Sequence, residues 1–489
     1  MNGSIIRYIL GSIIKIEGIL MLLPCIVSVI YKEQVGFYYL GVALFCIALG
    51  FLITFKKPTN TVFYLKEGCV STALSWVLLS IFGALPFFIS GEIPSFTDAM
   101  FETISGFTTT GASILPNVEA LSYTALFWRS FTHWVGGMGV LVFLLAIIPM
   151  TGGSHMNLMK AESPGPSVGK LVPKVRTTAR ILYLIYLGMT VLQIILLLIG
   201  KMPLFDAITL SFGTAGTGGF GIKVDSIAGY SPYLQWVITI FMILFGINFN
   251  AYYLLLFGQV KKALCMEEVR AYLGIILASG FLIFLNILDT ASSAFEALTD
   301  AFFQVGSIIT TTGYATTDFN LWPGFSQSIL VILMFIGACA GSTGGGIKVS
   351  RIVIGFKAMI KELHSYIHPK SVRNIKFEGK PVEHDLVKAT NLYFVTFLFI
   401  FGLSTLLISV DGFDLVTNFT AVAATFNNIG PGLAVVGPMG SFGGFSDFSK
   451  FILMFDMLAG RLELFPMLLL FHPTIWKDLF TQRSKRKKQ

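Results

Sequence analysis

Charged residues are scarce in this sequence, because Asp, Glu, Lys and Arg together make up only 12% of its 489 residues. Soluble domains carry roughly 25% of these residues, so the deficit argues against a soluble protein. Hydrophobic residues instead account for 54% of the chain. Apolar segments of about 20 residues, each long enough to cross a bilayer, recur along its whole length. The composition therefore predicts an all-α polytopic membrane protein.

Cysteine and histidine are also rare. The five cysteines lie in or beside apolar segments and have no metal-ligand spacing, so we expect neither a disulfide nor a cysteine metal site. No group of His, Asp or Glu has the spacing of a metal or acid–base site, which argues against a membrane enzyme. The first residues, MNGSIIRYIL, are followed by no small-residue cleavage site, which indicates a retained first helix.

The excess of positive charge, +8 at pH 7, is confined to alternate loops. Lysine and arginine cluster at residues 56–66, 160–180, 261–270, 357–380 and 483–488. Acidic residues cluster in the intervening loops, at residues 92–119, 206–225, 289–318 and 411–447. This alternation follows the positive-inside rule and predicts a chain with both termini in the cytoplasm. It also argues against nucleic acid as a partner.

A short peptide centred on glycine recurs four times between apolar segments. Residues 108–113 read TTTGAS and residues 310–315 read TTTGYA. Two divergent copies surround Gly219, in TAGTGGFG, and Gly430, in FNNIGPGL. The repeat unit is an apolar helix, a shorter half-spanning helix, the glycine peptide and a second apolar helix. The second helices are predicted near residues 123–149, 232–258, 325–358 and 447–472.

The repeat divides the chain into six segments. We assign an N-terminal hairpin to residues 1–60, four pore repeats to residues 61–160, 161–262, 263–370 and 371–475, and a basic cytoplasmic tail to residues 476–489. All four repeats keep one orientation, unlike the inverted repeats of many secondary transporters. The predicted fold is a two-helix hairpin plus four helix–pore helix–filter–helix repeats, arranged pseudo-four-fold around one pore.

The glycine peptides suit the coordination of a monovalent cation. Irregular backbone at membrane depth must face protein or a water-filled cavity. Glycine lets the backbone present consecutive carbonyls, which replace the hydration shell of a potassium ion without a fixed charge. The peptides contain no Asp or Glu, which argues against a divalent-selective carboxylate ring. The predicted potassium filter consists of Thr109, Thr110, Gly111, Thr217, Gly218, Gly219, Thr311, Thr312, Gly313, Asn428, Ile429 and Gly430.

Two features of this filter stay open in the sequence. In the second peptide, Gly218 and Gly219 compete for the position of the filter glycine. Four nearby aspartates either attract cations to the outer mouth or serve as N-caps of the short helices. They are Asp98, Asp206, Asp300 and Asp318.

A second glycine-rich stretch, GACAGSTGGGIK at residues 337–348, interrupts the second helix of repeat three. It resembles a P-loop but has Ile347 where the lysine of that motif belongs. The peptide GTGGFG at residues 216–221 matches the dinucleotide-binding pattern but follows a half-helix rather than a strand. We therefore expect no nucleotide site at either stretch. A mobile loop beneath the filter would gate the pore, and a static kink is the alternative. The predicted gate residues are Gly341, Ser342, Thr343, Gly344, Gly345, Gly346 and Lys348.

Two arginines lie in apolar helices. A charge near the bilayer centre costs roughly 2.5–3.5 kcal/mol, so Arg461 must face a wet cavity or a partner, for which Glu463, Asp456 or the filter carbonyls are candidates. We predict that it faces the pore and keeps ions from binding too tightly, with a buried structural salt bridge as the alternative. Arg129 is predicted to tie the filter to its helix through Glu102.

The peptides TTTGAS, TGGFG, TTTGYATTD, NNIGPGL and GRLELF resemble, in order and over essentially the whole chain, the Trk/Ktr/HKT superfamily of potassium transporters. The likeness is strongest to bacterial Trk membrane subunits of the TrkH type. It implies potassium uptake across the bacterial plasma membrane, with potassium ions in the filter and no covalently bound cofactor. It maps the filter glycines onto Gly111, Gly219, Gly313 and Gly430, the gate onto residues 341–348 and the pore arginine onto Arg461.

The resemblance also implies partners. These are a second copy of the chain, in a homodimer with one pore per protomer, and a cytoplasmic nucleotide-binding ring of the TrkA type that docks on the basic inner face. Some relatives have serine in place of the first filter glycine and admit sodium, so Gly111 favours potassium. Channel-like flux, proton coupling and sodium coupling stay open. An organic-solute transporter would need a midplane pocket with charged or aromatic groups, which the sequence lacks beyond Arg461.

Overall fold

A computed structural model describes residues 1–58, 64–139, 175–369 and 373–477. Predictions for residues 59–63, for residues 140–174, for residues 370–372 and for the basic tail from residue 478 onward lie outside the described residues. Within the described chain, helices dominate and one small antiparallel hairpin pairs β1 (Lys376–Phe377) with β2 (Lys380–Pro381). The prediction of an all-α polytopic membrane protein is confirmed.

The helices follow the chain as one hairpin and four units. The hairpin consists of α1 (Gly3–Leu20), α2 (Leu22–Tyr31) and α3 (Gly36–Thr54). The first unit contains α4 (Leu65–Ile89), α5 (Phe96–Phe107) and α6 (Tyr123–Gly137). The second contains α7 (Val175–Ile199), α8 (Leu204–Gly216), α9 (Pro232–Phe245), α10 (Phe249–Leu256) and α11 (Val260–Leu264). The third contains α12 (Glu267–Ile287), α13 (Ala294–Ile309), α14 (Gly324–Ile336) and α15 (Val349–Ile367). The fourth contains α16 (His384–Ile408), α17 (Leu415–Phe426), α18 (Asp447–Arg461) and α19 (Phe465–Leu470).

Six helical segments of the described chain are long and apolar enough to cross a membrane. They are Gly3–Tyr31, Gly36–Thr54, Leu65–Ile89, Ala179–Ile199, Glu267–Ile287 and His384–Asp411. Their outward faces carry exposed large apolar side chains such as Leu398, Phe399 and Leu406, as expected for contact with lipid. The four short helices α5, α8, α13 and α17 lie inside this shell and are buried on most sides.

The second helix of repeat two is not continuous. The axes of α9 and α10 differ by 93°. The backbone groups freed at this bend pair with the glycine-rich loop of repeat three: Cys339 N–H donates to Gly246 O, and Phe249 N–H donates to Gly341 O, both at 3.0 Å. The predicted continuous helix at 232–258 is therefore wrong, because its bend is stabilised by a partner from another repeat.

The second helices of repeats three and four are also interrupted. In repeat three, α14 and α15 are separated by residues 337–348, where the sequence predicts the interruption; we call this segment the interrupting loop. In repeat four, the predicted helix at 447–472 is broken after α18, where Glu463 and Leu464 have φ values of 62° and 66°. In repeat one, α6 ends at Gly137, and residues 140–149 of the predicted helix lie outside the described residues.

Three glycines let α1 and α3 of the N-terminal hairpin pack closely. A Cβ atom on Gly11 would lie 2.5 Å from Ile53 Cγ2, and one on Gly50 would lie 2.7 Å from the Gly11 carbonyl oxygen. A Cβ on Gly18 would lie 2.7 Å from the carbonyl oxygen of Ala43. Small residues at helix–helix contacts are the usual means of close packing within a bilayer.

We expect Gly50→Leu to force α1 and α3 apart, because the new side chain has no free volume at this contact. Overpacking of this kind costs about 1–3 kcal/mol, so the unfolding temperature of the detergent-solubilised protein should fall by several degrees. The matched control is Gly41→Leu on the same helix, where a Cβ would meet nothing within 4 Å. Equal unfolding temperatures for the two variants would contradict this packing argument.

Candidate ion pathway

The four short helices end in the same backbone conformation. In each, the residue two positions before the filter glycine is left-handed: φ is 56° at Thr109, 54° at Thr217, 59° at Thr311 and 56° at Asn428. The next residue donates its N–H five positions back, as in Thr110 N to Ser105 O at 2.9 Å. This is a Schellman ending, which normally places glycine at the left-handed position. Threonine and asparagine are strained there, which is typical of functional sites.

The common ending decides the alignment of the divergent second peptide. Gly111, Gly219, Gly313 and Gly430 have φ values of 77°, 77°, 87° and 103°, and each lies two residues after the left-handed position. Gly219 therefore occupies the position equivalent to the other three glycines, and Gly218 occupies that of Thr110 and Thr312.

The four peptides pack against each other in a closed cycle. A Cβ on Gly111 would overlap the carbonyl oxygen of Gly218, and one on Gly219 would overlap that of Thr312. In the same sense, a Cβ on Gly313 would overlap the carbonyl oxygen of Ile429. One on Gly430 would lie 2.9 Å from that of Thr110. Each glycine thus faces a carbonyl of the next repeat, and only glycine combines the required φ with the required clearance.

A cavity of about 120 Å³ adjoins this ring. It is lined by the four filter glycines and by Ala112, Ser113, Pro431, Arg129, Lys223 and their neighbours. Backbone groups and small side chains therefore form most of its wall next to the ring.

A buried ion pair supports the first two peptides. Arg129 Nε lies 2.5 Å from Glu102 Oε1, and the arginine also donates to Gly221 O at 2.8 Å. Glu102 in turn accepts hydrogen bonds from the Ser113 hydroxyl at 2.9 Å and the Ile114 N–H at 3.0 Å. The predicted pairing of Arg129 with Glu102 is confirmed, and it connects α5 and α6 with the segments that follow both peptides.

His133 is a further support of the second peptide, and the sequence analysis does not single it out. Its Nε2 accepts the Phe220 N–H at 3.3 Å, so the proton of the neutral ring lies on Nδ1, which donates to Gly106 O at 2.7 Å. The ring therefore joins the end of α5 to the second peptide. A signal exists in the sequence, since His133 lies one helical turn after Arg129 in a helix with no other charged or titratable side chain besides Tyr123.

None of the four nearby aspartates caps a short helix. The caps are Ser95 on α5, Ser293 on α13 and Asp414 on α17. The aspartates have other partners. Asp98 pairs with Lys450 at 2.6 Å, and Asp206 accepts a hydrogen bond from Tyr230 at 2.8 Å. Asp300 accepts a hydrogen bond from Thr316 at 2.7 Å, and Asp318 caps a short 3-10 turn by accepting the Asn320 N–H at 3.0 Å. The N-cap alternative for the short helices is therefore wrong.

The interrupting loop lies against the third and fourth peptides. The Gly345 N–H donates to Thr311 Oγ1 at 2.6 Å, and a Cβ on Gly345 would lie 2.5 Å from Asn427 O. A Cβ on Gly344 would lie 2.9 Å from Thr310 O. The loop therefore reaches the ends of α13 and α17 and the first residues of the peptides that follow them.

Other residues of this loop are held by polar contacts. The Lys348 ammonium donates to the carbonyl of Gly344, and the Ser342 hydroxyl donates to Cys339 O at 2.7 Å. The Thr343 hydroxyl donates to Phe245 O at 3.2 Å, at the end of α9. Lys348 itself has a φ of 85°, so the loop ends with a strained residue.

Arg461 donates to backbone carbonyls outside the filter peptides. Its Nη1 lies 2.8 Å from Thr343 O in the interrupting loop, and its Nη2 lies 2.6 Å and 2.7 Å from Gly136 O and Gly137 O at the end of α6. The acids expected near it have other contacts. Glu463 pairs with Arg351, and Asp456 accepts from Ser404 at 2.8 Å. Arg461 thus connects repeat four with the end of α6 in repeat one and with the interrupting loop of repeat three.

Comparisons with known proteins agree with this architecture. Residues 38–478 match the TrkH family model, which describes a cation transport protein. The Trk system potassium uptake protein TrkH of Salmonella typhimurium strain LT2 is 37% identical over 98% of this chain and 100% of its own length. TrkG of Escherichia coli K12, also called a Trk system potassium uptake protein, is 32% identical over 98% of this chain and 100% of its own.

A solved structure is similar over nearly the same length. The crystal structure of the potassium transporter TrkH from Vibrio parahaemolyticus superimposes with a TM-score of 0.87 and 32% sequence identity. The match covers 97% of this chain and 100% of the solved chain. From the family match and these full-length relatives together, the chain belongs to the TrkH family of cation transport proteins.

Proposed function

We propose that this chain is the membrane subunit of a Trk-type potassium uptake system and forms the pathway for potassium across the bacterial plasma membrane. The observation that carries the proposal is the closed cycle of four glycines, each against a carbonyl of the next peptide. The full-length relatives are named as potassium uptake proteins, which supports the same substrate. Flux through such a pathway requires no bond to be made or broken, which fits a protein that is not an enzyme.

The filter in this proposal uses backbone oxygens and helix ends. Four short helices point their C-terminal ends, which carry partial negative charge, toward the ring. This favours a cation, and carbonyl oxygens replace its hydration shell without a fixed charge that would hold it. The coordinating set is residues 109–111, 217–219, 311–313 and 428–430.

The proposed gate is the segment Gly341–Lys348 of the interrupting loop. Two hydrogen bonds of this segment support a role as a gate. The Gly345 N–H donates to Thr311 of the third filter peptide, and Arg461 donates to the Thr343 carbonyl. A loop held by hydrogen bonds, with several glycines, can move without unfolding a helix. Arg461 places a positive charge near this path and, in the proposal, limits how tightly an ion is held there.

The proposed assembly follows the charge pattern and the family. Basic loops face the cytoplasm together with both termini, the functional form is a homodimer with one pathway per chain, and a cytoplasmic nucleotide-binding ring of the TrkA type docks on the basic face. The name of the relatives as parts of a Trk system supports a multi-subunit assembly. We propose that the chain is divided into the six segments assigned from the sequence, from residues 1–60 to residues 476–489.

The filter is tested by Gly313→Asp. Its φ of 87° and the nearby Ile429 carbonyl leave no room for a side chain, and a carboxylate would add a fixed charge at the ring. We expect the variant to lose rescue of a potassium-uptake-deficient bacterium on low-potassium medium. Gly324→Asp is the matched control, because a Cβ at that glycine would meet nothing within 4 Å. If Gly313→Asp rescues growth as well as wild type at equal expression, the filter model is wrong.

The role of Arg461 is tested by ion affinity. Removing its charge in Arg461→Ala should lower the KM for potassium uptake several-fold, because a nearby cation no longer opposes binding. Arg461→Lys keeps the charge while losing the forked hydrogen bonds, so its KM should stay closer to the wild-type value. Uptake into proteoliposomes over a range of potassium concentrations measures both. An unchanged KM and maximal rate in Arg461→Ala would exclude the proposed role in the pathway.

A further inference from the structure

A buried carboxylate at the start of α12 contacts three separate parts of the structure. Glu268 is 2% exposed. Its Oε1 accepts the N–H of Ala340 at 2.7 Å and the N–H of Ser350 at 3.2 Å. Its Oε2 accepts from Asn248 Nδ2 at 3.3 Å. One side chain therefore bonds to the interrupting loop, to the start of α15 that follows it, and to the bend between α9 and α10.

These contacts satisfy backbone donors that have no helical partner. Ala340 lies in the irregular interrupting loop, and Ser350 is the second residue of α15, where N–H groups are free of intrahelical bonds. A carboxylate forms stronger hydrogen bonds than a neutral acceptor, and its charge also complements the positive end of the α15 dipole. Glu268 thereby keeps the loop in the position in which Gly345 contacts Thr311.

The same helix start is attached to the small hairpin. Glu378, in the turn between β1 and β2, accepts the backbone N–H of Glu268 at 3.1 Å and donates its own N–H to Glu267 Oε2 at 3.4 Å. Lys357 of α15 pairs with Glu267 and donates to Lys376 O at 2.8 Å. The hairpin and the interrupting loop are therefore both bonded to the first two residues of α12.

We infer that Glu268 is a positioning residue whose hydrogen bonds hold the interrupting loop beneath the filter peptides, and we call these hydrogen bonds the latch. We also infer that movement of the surface hairpin at residues 376–381 weakens or strengthens them. The inference rests on the proposed function, in which displacement of the loop opens the pathway. A shift of the hairpin displaces the first turn of α12, and the Glu268 carboxylate carries that displacement to the loop and to the start of α15. Coordination of the ion remains the task of the filter peptides.

A cysteine in the interrupting loop can report whether the loop moves away from its buried position. Cys339 precedes Ala340 and is fully buried, so a small water-soluble methanethiosulfonate reaches it only when the loop moves. The reporter protein carries the four substitutions Cys25→Ala, Cys46→Ala, Cys69→Ala and Cys265→Ala. Labelling of Cys339 and potassium flux are measured on the same proteoliposomes.

In this background we expect Glu268→Ala to raise the labelling rate of Cys339 about tenfold, because two buried N–H groups lose their shared acceptor. Potassium flux should rise as well, with an unchanged preference for potassium over sodium. Glu268→Gln retains one acceptor oxygen and should give a smaller rise, and Glu268→Asp should lie nearest to wild type. Glu268→Gln carries the test if the alanine variant does not fold.

The matched control is Glu67, a buried glutamate in the first turn of α4. It is also 2% exposed and accepts backbone N–H groups, from Asn2 and Tyr64, both at 3.2 Å. Glu67→Ala should leave the labelling of Cys339 unchanged even where it lowers stability. Equal labelling of Cys339 in wild type, Glu268→Ala and Glu67→Ala would overturn the latch.

The contribution of the hairpin has its own readout. Glu378→Ala removes the acceptor of the Glu268 N–H and should raise Cys339 labelling, by less than Glu268→Ala does. Labelling at the wild-type rate would overturn the role of the hairpin. These outcomes are separable from the proposed function. If wild-type protein in proteoliposomes does not transport potassium, the proposed pathway is refuted, while the labelling of Cys339 still reports on the latch.

Discussion

The backbone ending of the four short helices is the constraint on which the rest of the interior depends. Each helix stops in a Schellman turn whose left-handed residue is Thr109, Thr217, Thr311 or Asn428. That turn aims the following residues at the neighbouring repeat and leaves space there only for glycine. Because four non-glycine residues are held in a strained conformation, the surrounding structure has to stabilise them, and the buried contacts of Arg129 and His133 do so on one side.

A second constraint is the pairing of broken helices with one another. The bend in repeat two, the interrupting loop of repeat three and the end of α18 in repeat four all expose backbone groups inside the protein. Backbone groups pair across repeats, as in Cys339 N–H with Gly246 O, and the Arg461 side chain donates to the Thr343 carbonyl. Movement of the interrupting loop therefore alters contacts in three repeats at once, which makes a single buried acceptor such as Glu268 an effective point of control.

Much of the fold follows from the sequence alone. Long apolar segments, alternating loop charge and the near-identical peptides at Gly111 and Gly313 predict a polytopic helical protein with an internal repeat. Close to the ring, the pairing of Arg129 with Glu102 is predictable because a buried charge needs a nearby opposite charge. The aspartates are less predictable, since Asp98 pairs with Lys450 from the far end of the chain.

The sequence by itself determined the helical class, the number of glycine peptides and the place of the interrupting loop, because these depend on local composition and glycine content. Only the tertiary structure decided that Gly219 rather than Gly218 is the equivalent of Gly111, Gly313 and Gly430, and that the four peptides close a cycle. It also decided that α9 bends and that Arg461 bonds to Gly136, Gly137 and Thr343. Those features depend on hydrogen bonds and clearances between segments far apart in the chain, which no local pattern encodes.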